Sequence, residues 1–86
     1  MNEFEQMNGE RIDYGFDYAA WLGADTISAS GWGAVPALTL SGPTNSGAVA
    51  AVFVAGVVGG EVYAVTNTIT TAGGRVKKTR LVIRGV

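Results

Sequence analysis

Strict alternation of apolar and polar residues dominates the chain from Asp25 onward and predicts strands rather than helices. "DTISAS" (25–30) sets Ile27 and Ala29 on one face, with Thr26, Ser28 and Ser30 on the other. "ALTLS" (37–41) repeats the pattern with Leu38 and Leu40, and "GPTNSG" (42–47) reads as a turn. "AVAAVFVA" (48–55) is almost wholly apolar and reads as a central strand covered on both faces, or as one with a face meeting a partner. "GVVGG" (56–60) reads as a flexible connection. "EVYAVTNTITT" (61–71) alternates again, placing Tyr63, Val65, Asn67 and Ile69 together. After an "AGG" turn, "RVKKTRLVIRGV" (75–86) sends Lys77, Thr79, Leu81 and Ile83 one way. Val76, Lys78, Arg80, Val82 and Arg84 point the other way. Five or six short strands at this spacing predict an all-β fold, a small sandwich or barrel.

The front of the chain differs. Residues 1–12 are polar and acidic and read as a flexible N-terminal arm, leaving 13–86 as a single sandwich domain. "DYGFDYAAWLGADTI" (13–27) packs four aromatics and three aspartates into fifteen positions. Gly15 and Gly23 discourage a long helix there, but "DYAAWL" (17–22) can form one turn capped by Asp17.

At 86 residues a single compact domain buries roughly 60% of its unfolded surface, enough for one modest core. Large side chains are few and the 13 glycines are about twice ordinary usage, so partner subunits could supply part of the stability. Charge is segregated. Residues 1–25 carry six acids against Arg11, a net −5; residues 26–60 carry none; residues 61–86 carry Glu61 against five cations, a net +4. An acidic front and a basic end suit head-to-tail contact between copies or partners of opposite charge. The first residues have neither a basic n-region nor an apolar h-region, so no signal peptide is expected. No run is long enough for a membrane span.

The chemistry on offer is sparse. Without His or Cys there is no imidazole base, thiol nucleophile or Cys/His zinc site, and no metal or cofactor is expected. The serines lack an activating partner, and "AGGRVKK" lacks the P-loop pattern. No enzyme is expected. "RVKKTR" puts four cations in six residues, which would suit phosphate. No aromatic interleaves them to stack on bases, and charge also guards an edge strand, so nucleic acid is disfavoured as a partner. Trp32 in "SGWGAVP" is either a core plug or an exposed anchor. The second possibility, with Asn45 or Asn67 beside it, would make a module that binds host-surface carbohydrate or a host protein.

Three stretches carry a resemblance: "DYGFDYAAWLGADTISASGW" (13–32), "VFVAGVVGGEVYAVTNTITTAGGR" (52–75) and "TRLVIRGV" (79–86). In order and spacing they are similar to small bacteriophage virion proteins of the fibre–tail adaptor family. The shared pattern is an aromatic–Asp pair, a Trp-Leu, a Gly-x-Asp-Thr-Ile turn and a following Trp. It continues with Tyr-x-Val-x-Asn-x-Ile-x-Thr, a Gly-Arg turn and a last apolar strand. The chain departs from it where Tyr18-Ala19 replaces a frequent Trp-Ser. The resemblance implies a small immunoglobulin-like β-sandwich and a non-catalytic adaptor in the virion, assembled in the host cytoplasm. Its partners would be tail or neck and fibre proteins, within a ring-forming homo-oligomer. It lays Phe16, Asp17, Trp21 and Leu22 across the sandwich. On this reading Trp21, Leu22, Ile27, Trp32, Tyr63, Ile69, Leu81 and Ile83 form the core, and Tyr14, Phe16, Tyr18, Lys78, Arg80 and Arg84 meet neighbouring subunits.

Overall fold

The computed structural model describes residues 3–86. Seven strands and one helical turn follow in the order β1 (Glu3–Gln6), β2 (Ile12–Asp17), α1 (Ala19–Leu22), β3 (Ile27–Val35), β4 (Thr39–Ser46), β5 (Val49–Ala55), β6 (Val62–Thr71) and β7 (Val76–Gly85). They form a four-stranded sheet, β1-β7-β6-β3, and a three-stranded sheet, β2-β5-β4, packed as a sandwich. All pairings are antiparallel except β1 with β7. Strands β2, β5 and β4 take the places of B, E and D in an immunoglobulin sandwich, and β7, β6 and β3 those of G, F and C. The body is elongated, 41 × 24 × 17 Å.

Alternation does the sorting. Along β6 every second residue from Tyr63 to Thr71 is buried, and along β7 Leu81 and Ile83 are buried between outward Arg80 and Arg84. The inward residues form two clusters. One gathers Tyr14, Val52, Val54, Val57, Tyr63, Val65, Leu81 and Ile83; the other gathers Tyr18, Leu22, Ala50 and Ile69. Each fully buried aliphatic side chain is worth about 1.5–3 kcal/mol relative to exposure. Phe16 and Trp32 touch both clusters and stack on each other at 5.8 Å and 12°, joining the two halves of the core.

Four local expectations change. Residues 3–6, read as flexible arm, are a strand: Glu3–Gln6 pair with Val82–Gly85 of β7, and Gln6 is buried. A charged sequence hid this because only one of its side chains needs burial. The bulge between Ile27 and Ala29 breaks the regular alternation, so Ile27 is half-buried while Ala29 is exposed. "GPTNS" is not a turn but the bulged part of β4, with irregular register between Ser41 and Thr44, and the chain reverses at Gly47–Ala48. The 56–60 connection is tied down. Val57 is buried, Gly60 N–H donates to the Gly85 carbonyl at 2.9 Å, and Gly85 N–H donates to Glu61 O at 2.8 Å. A Cβ at Gly85 would collide with the Val58 carbonyl, so only glycine fits.

The same connection carries a tyrosine corner. The Val58 N–H donates to the Tyr63 hydroxyl oxygen at 3.0 Å, fixing the entry to β6 from the residue that opens its inward row. Tyr63→Phe should lower unfolding free energy by about 1–1.5 kcal/mol in urea denaturation with an unchanged m-value. A loss indistinguishable from zero would mean that the corner bond contributes nothing net.

Candidate functional site

The aromatic–aspartate stretch is where the two sheets are fastened. Tyr14 on β2 donates its hydroxyl to Gln6 Oε1 on β1 at 2.8 Å, and Gln6 Nε2 donates to the Val54 carbonyl on β5 and to Glu10 O, each at 3.0 Å. Tyr18, just past β2, donates to Asn67 Oδ1 on β6 at 2.7 Å. Asn67 Nδ2 donates to Ser30 Oγ and to the Gly31 carbonyl on β3, both at 2.9 Å. Gln6 and Asn67 are almost wholly buried, and each uses its amide oxygen and its amide nitrogen. A buried amide so satisfied holds its neighbours in one register, whereas an unpaired one would cost about 1–3 kcal/mol. Burial pushes both tyrosine hydroxyls above their ordinary pKa, with the Glu10 carboxylate adding to the effect at Tyr14.

These contacts decide the expected interface residues. Tyr14 and Tyr18, expected under a neighbour, lie inside the sandwich with 9% and 5% exposure. A tyrosine at an inward β2 position buries its ring and needs an acceptor, which Gln6 and Asn67 provide. Phe16 is half-buried against Trp32 and 6.2 Å from Tyr18. Of the expected core, Leu22, Tyr63, Ile69, Leu81 and Ile83 are buried, while Trp21, Ile27 and Trp32 are half-buried. The platform of Trp32 beside Asn67 does not form at the surface, because Asn67 is buried and engaged with Tyr18, Ser30 and Gly31. Asn45 is exposed on β4.

A second cluster joins two turns that the sequence presents separately. The single helical turn forms, but its N-cap is Tyr18, which makes no side-chain cap bond. Asp17, expected as the cap, ends β2 and accepts from Ala19 N–H at 2.9 Å in a local turn ahead of α1. At the other end of α1, Arg75 spans three elements. Its Nε donates to Asp25 Oδ2 at 3.2 Å, its Nη2 to Leu22 O at 3.0 Å, and its guanidinium lies 4.2 Å from the Trp21 ring. Asp25 Oδ1 also accepts from the Thr26 and Gly73 amides at 2.9 and 3.0 Å. A Cβ on Gly73 would sit 2.8 Å from Asp25 Oδ2. The Gly-x-Asp-Thr-Ile and Gly-Gly-Arg motifs are therefore two halves of one knot, closing α1 onto the β6–β7 turn. Their separation in sequence, Asp25 to Arg75, conceals this; only the unusual pairing of a turn aspartate with a turn arginine signals it.

The solvent faces differ in charge. On the four-stranded sheet, Lys78, Arg80 and Arg84 point outward from β7, facing Thr68, Thr66 and Val62 of β6. Arg84 pairs with Glu3 at 3.3 Å. On the three-stranded sheet Asp13 and Asp17 are exposed, and Arg11 stacks 3.9 Å over the half-buried Phe53. Among the described residues there is no group of three or more acidic, His or Cys side chains placed to hold a metal, and no helix long and apolar enough to cross a membrane.

Comparison with known proteins gives this geometry its context. A family model described as Podophage GP4 fiber-tail adaptor protein gp77 matches residues 6–84. No curated protein sequence matches the chain. The matched span runs from the last residue of β1 almost to the end of β7, and so takes in both tyrosine–amide links and the Asp25–Arg75 knot. The chain belongs to this family. It is a non-enzymatic structural protein of a bacteriophage virion, an adaptor between the tail or neck and the fibres.

The knot has a pH signature. Hydrogen bonds from the Thr71 hydroxyl, the Thr26 and Gly73 amides and the Arg75 guanidinium hold the Asp25 carboxyl down to about 2. An unfolded aspartate titrates near about 3.9, so the stabilisation is complete above that value and is lost as pH falls through about 2. The melting temperature of the wild type should fall more steeply than that of Asp25→Asn between about pH 4 and pH 2. Parallel curves would show that the carboxylate is not held by the knot.

Proposed function

We propose that this fibre–tail adaptor works as one subunit of a ring placed between tail or neck and fibres, assembled in the host cytoplasm and built by head-to-tail contact. The observation that carries the reading is the opposed charge of the two solvent faces. Lys78, Arg80 and Arg84 stand on one with Glu3 and Glu5 of β1, a net +1, and Asp13 and Asp17 stand on the other with Arg11, a net −1. A contact between unlike faces is heterologous, and such contacts close into rings when the rotation between copies allows. The family supplies the setting, since an adaptor must meet a protein on each side.

Phe16 enters this scheme as support rather than contact. Its stack on Trp32 fixes β2 against β3, and thereby the positions of Asp13 and Asp17 on either side of it. The cations and carboxylates are exposed, so each pair across the contact contributes only about 0.2–1 kcal/mol and the contact needs several together. Electrostatics of this kind favours orientation and rate of encounter more than affinity.

Salt and charge reversal test the arrangement together. Self-association measured by light scattering should be strong near 50 mM NaCl and fall sharply near 1 M, where the Debye length is about 3 Å. Lys78→Glu with Arg80→Glu should abolish it in low salt, and adding Asp13→Lys with Asp17→Lys should restore it. Association that ignores both salt and charge reversal would contradict the head-to-tail contact.

A further inference from the structure

The sandwich has four edge strands, β1 and β3 in one sheet and β2 and β4 in the other. An edge strand presents unpaired N–H and C=O groups at every second residue, and proteins ordinarily guard such rows. Three of the four are guarded. β1 has only four residues, two of them glutamates; β2 is flanked by Asp13 and Asp17; β4 contains Pro43 and the irregularity between Ser41 and Thr44. β3 is different. It has nine residues, no charge and no proline, and from Ala29 to Val35 it pairs with β6 in unbroken register. At about 3.3 Å per residue it is the longest uncharged edge alongside a regular ladder, with its Gly31 carbonyl taken by Asn67 Nδ2 and part of the strand close to β4.

A separate observation falls on the same strand. Gly31 and Gly33 face solvent, neither has a positive φ, and a Cβ at either would meet nothing within 4 Å. Nothing in the chain's own packing requires glycine there, and glycine weakens a strand. Glycine inside a strand instead marks places where another backbone or a large neighbouring side chain comes close. Val35, at the end of the same strand, is an apolar side chain left 76% exposed.

We infer that β3 is a docking edge that accepts an extended, uncharged strand from a partner virion protein, with large aromatic or β-branched side chains lying over Gly31 and Gly33. This rests on the adaptor reading, which supplies the partner. The edge and the residues behind it, Thr66, Thr68 and Thr70, are uncharged, so a charged strand would gain no counter-ion on β3 itself. A second copy of β3 fits poorly. Antiparallel self-pairing centred on Gly31 or on Trp32 sets Gly31 against Gly31 or against Gly33, leaving no cross-strand side-chain contact at these positions. Main-chain hydrogen bonds would give the affinity, and the space above the two glycines the selectivity.

The test uses the full chain and the particle. Gly31→Thr with Gly33→Thr adds only neutral side chains into open space and should fold with an equal or higher melting temperature. Its copy number in purified particles should nevertheless fall about tenfold or more. Amides of residues 29–35 should exchange with solvent more slowly in wild-type particles than in the free protein. Normal incorporation of the double variant, or equal exchange in both states, would overturn the proposal while leaving the adaptor reading intact. A wild-type dimer in solution that the double variant abolishes would also overturn it, by making a second copy the occupant. Absence of the wild-type chain from particles would instead remove the adaptor reading, and the docking edge with it.

Discussion

Two buried tyrosine–amide hydrogen bonds hold the sheets of this sandwich together, Tyr14 to Gln6 and Tyr18 to Asn67. A chain of this length with 13 glycines and no cysteine has neither a thick core nor a disulfide to crosslink its layers. Folding stability for such a domain is about 0.05–0.15 kcal/mol per residue, so one or two kcal/mol is a substantial share. The amides matter because each reaches beyond its tyrosine. Gln6 ties β1 to β5, and Asn67 ties β6 to β3. Each link therefore fixes several strands and not merely one pair.

With the layers fastened from within, the outside of the molecule is released from structural duty. The knot of Asp25, Arg75 and the end of α1 closes one end, and the tyrosine corner orders the glycine-rich connection into β6. What remains outside is two gently charged faces and one long unguarded edge. That division suits an adaptor, whose task is to present surfaces in fixed relation and not to transform a substrate. It also explains why an aromatic-rich segment that reads as an interface is mostly internal. Its rings are needed where the chain has few other large side chains.

The alternation of β6 and β7 was legible down to individual residues, because each strand has one buried and one solvated face. Tyr63, Ile69, Leu81 and Ile83 follow directly from it. The single turn before Gly23 was legible too, since the signal is local, although Tyr18 and not Asp17 is its N-cap. The illegible features are those in which a polar residue is buried or a strand is irregular. Gln6 carries no pattern, being the single buried residue of a four-residue acidic strand whose other inward side chain, Phe4, is left partly exposed against Tyr14. Tyr14 and Tyr18 read as contact residues because a tyrosine ring suits an interface or a core equally, and only their acceptors decide. The β4 bulge disguised a strand as a turn, since Gly42 and Pro43 signal both. The resemblance to adaptor proteins came from motif order, whose physical basis, the Asp25–Arg75 knot, is a contact over 50 residues.

Coupling across the deepest of these links is the most direct test. Urea unfolding should be measured for the wild type, Tyr18→Phe, Asn67→Ala and the double variant. Each single substitution should cost about 1–3 kcal/mol, since each leaves a buried polar group without its partner. The double variant should fall short of the summed losses by about 0.5–3 kcal/mol, the range for residues in one hydrogen-bond network. Losses that simply add, to within about 0.3–0.5 kcal/mol, would show that the sheets are held by apolar packing alone and contradict the account.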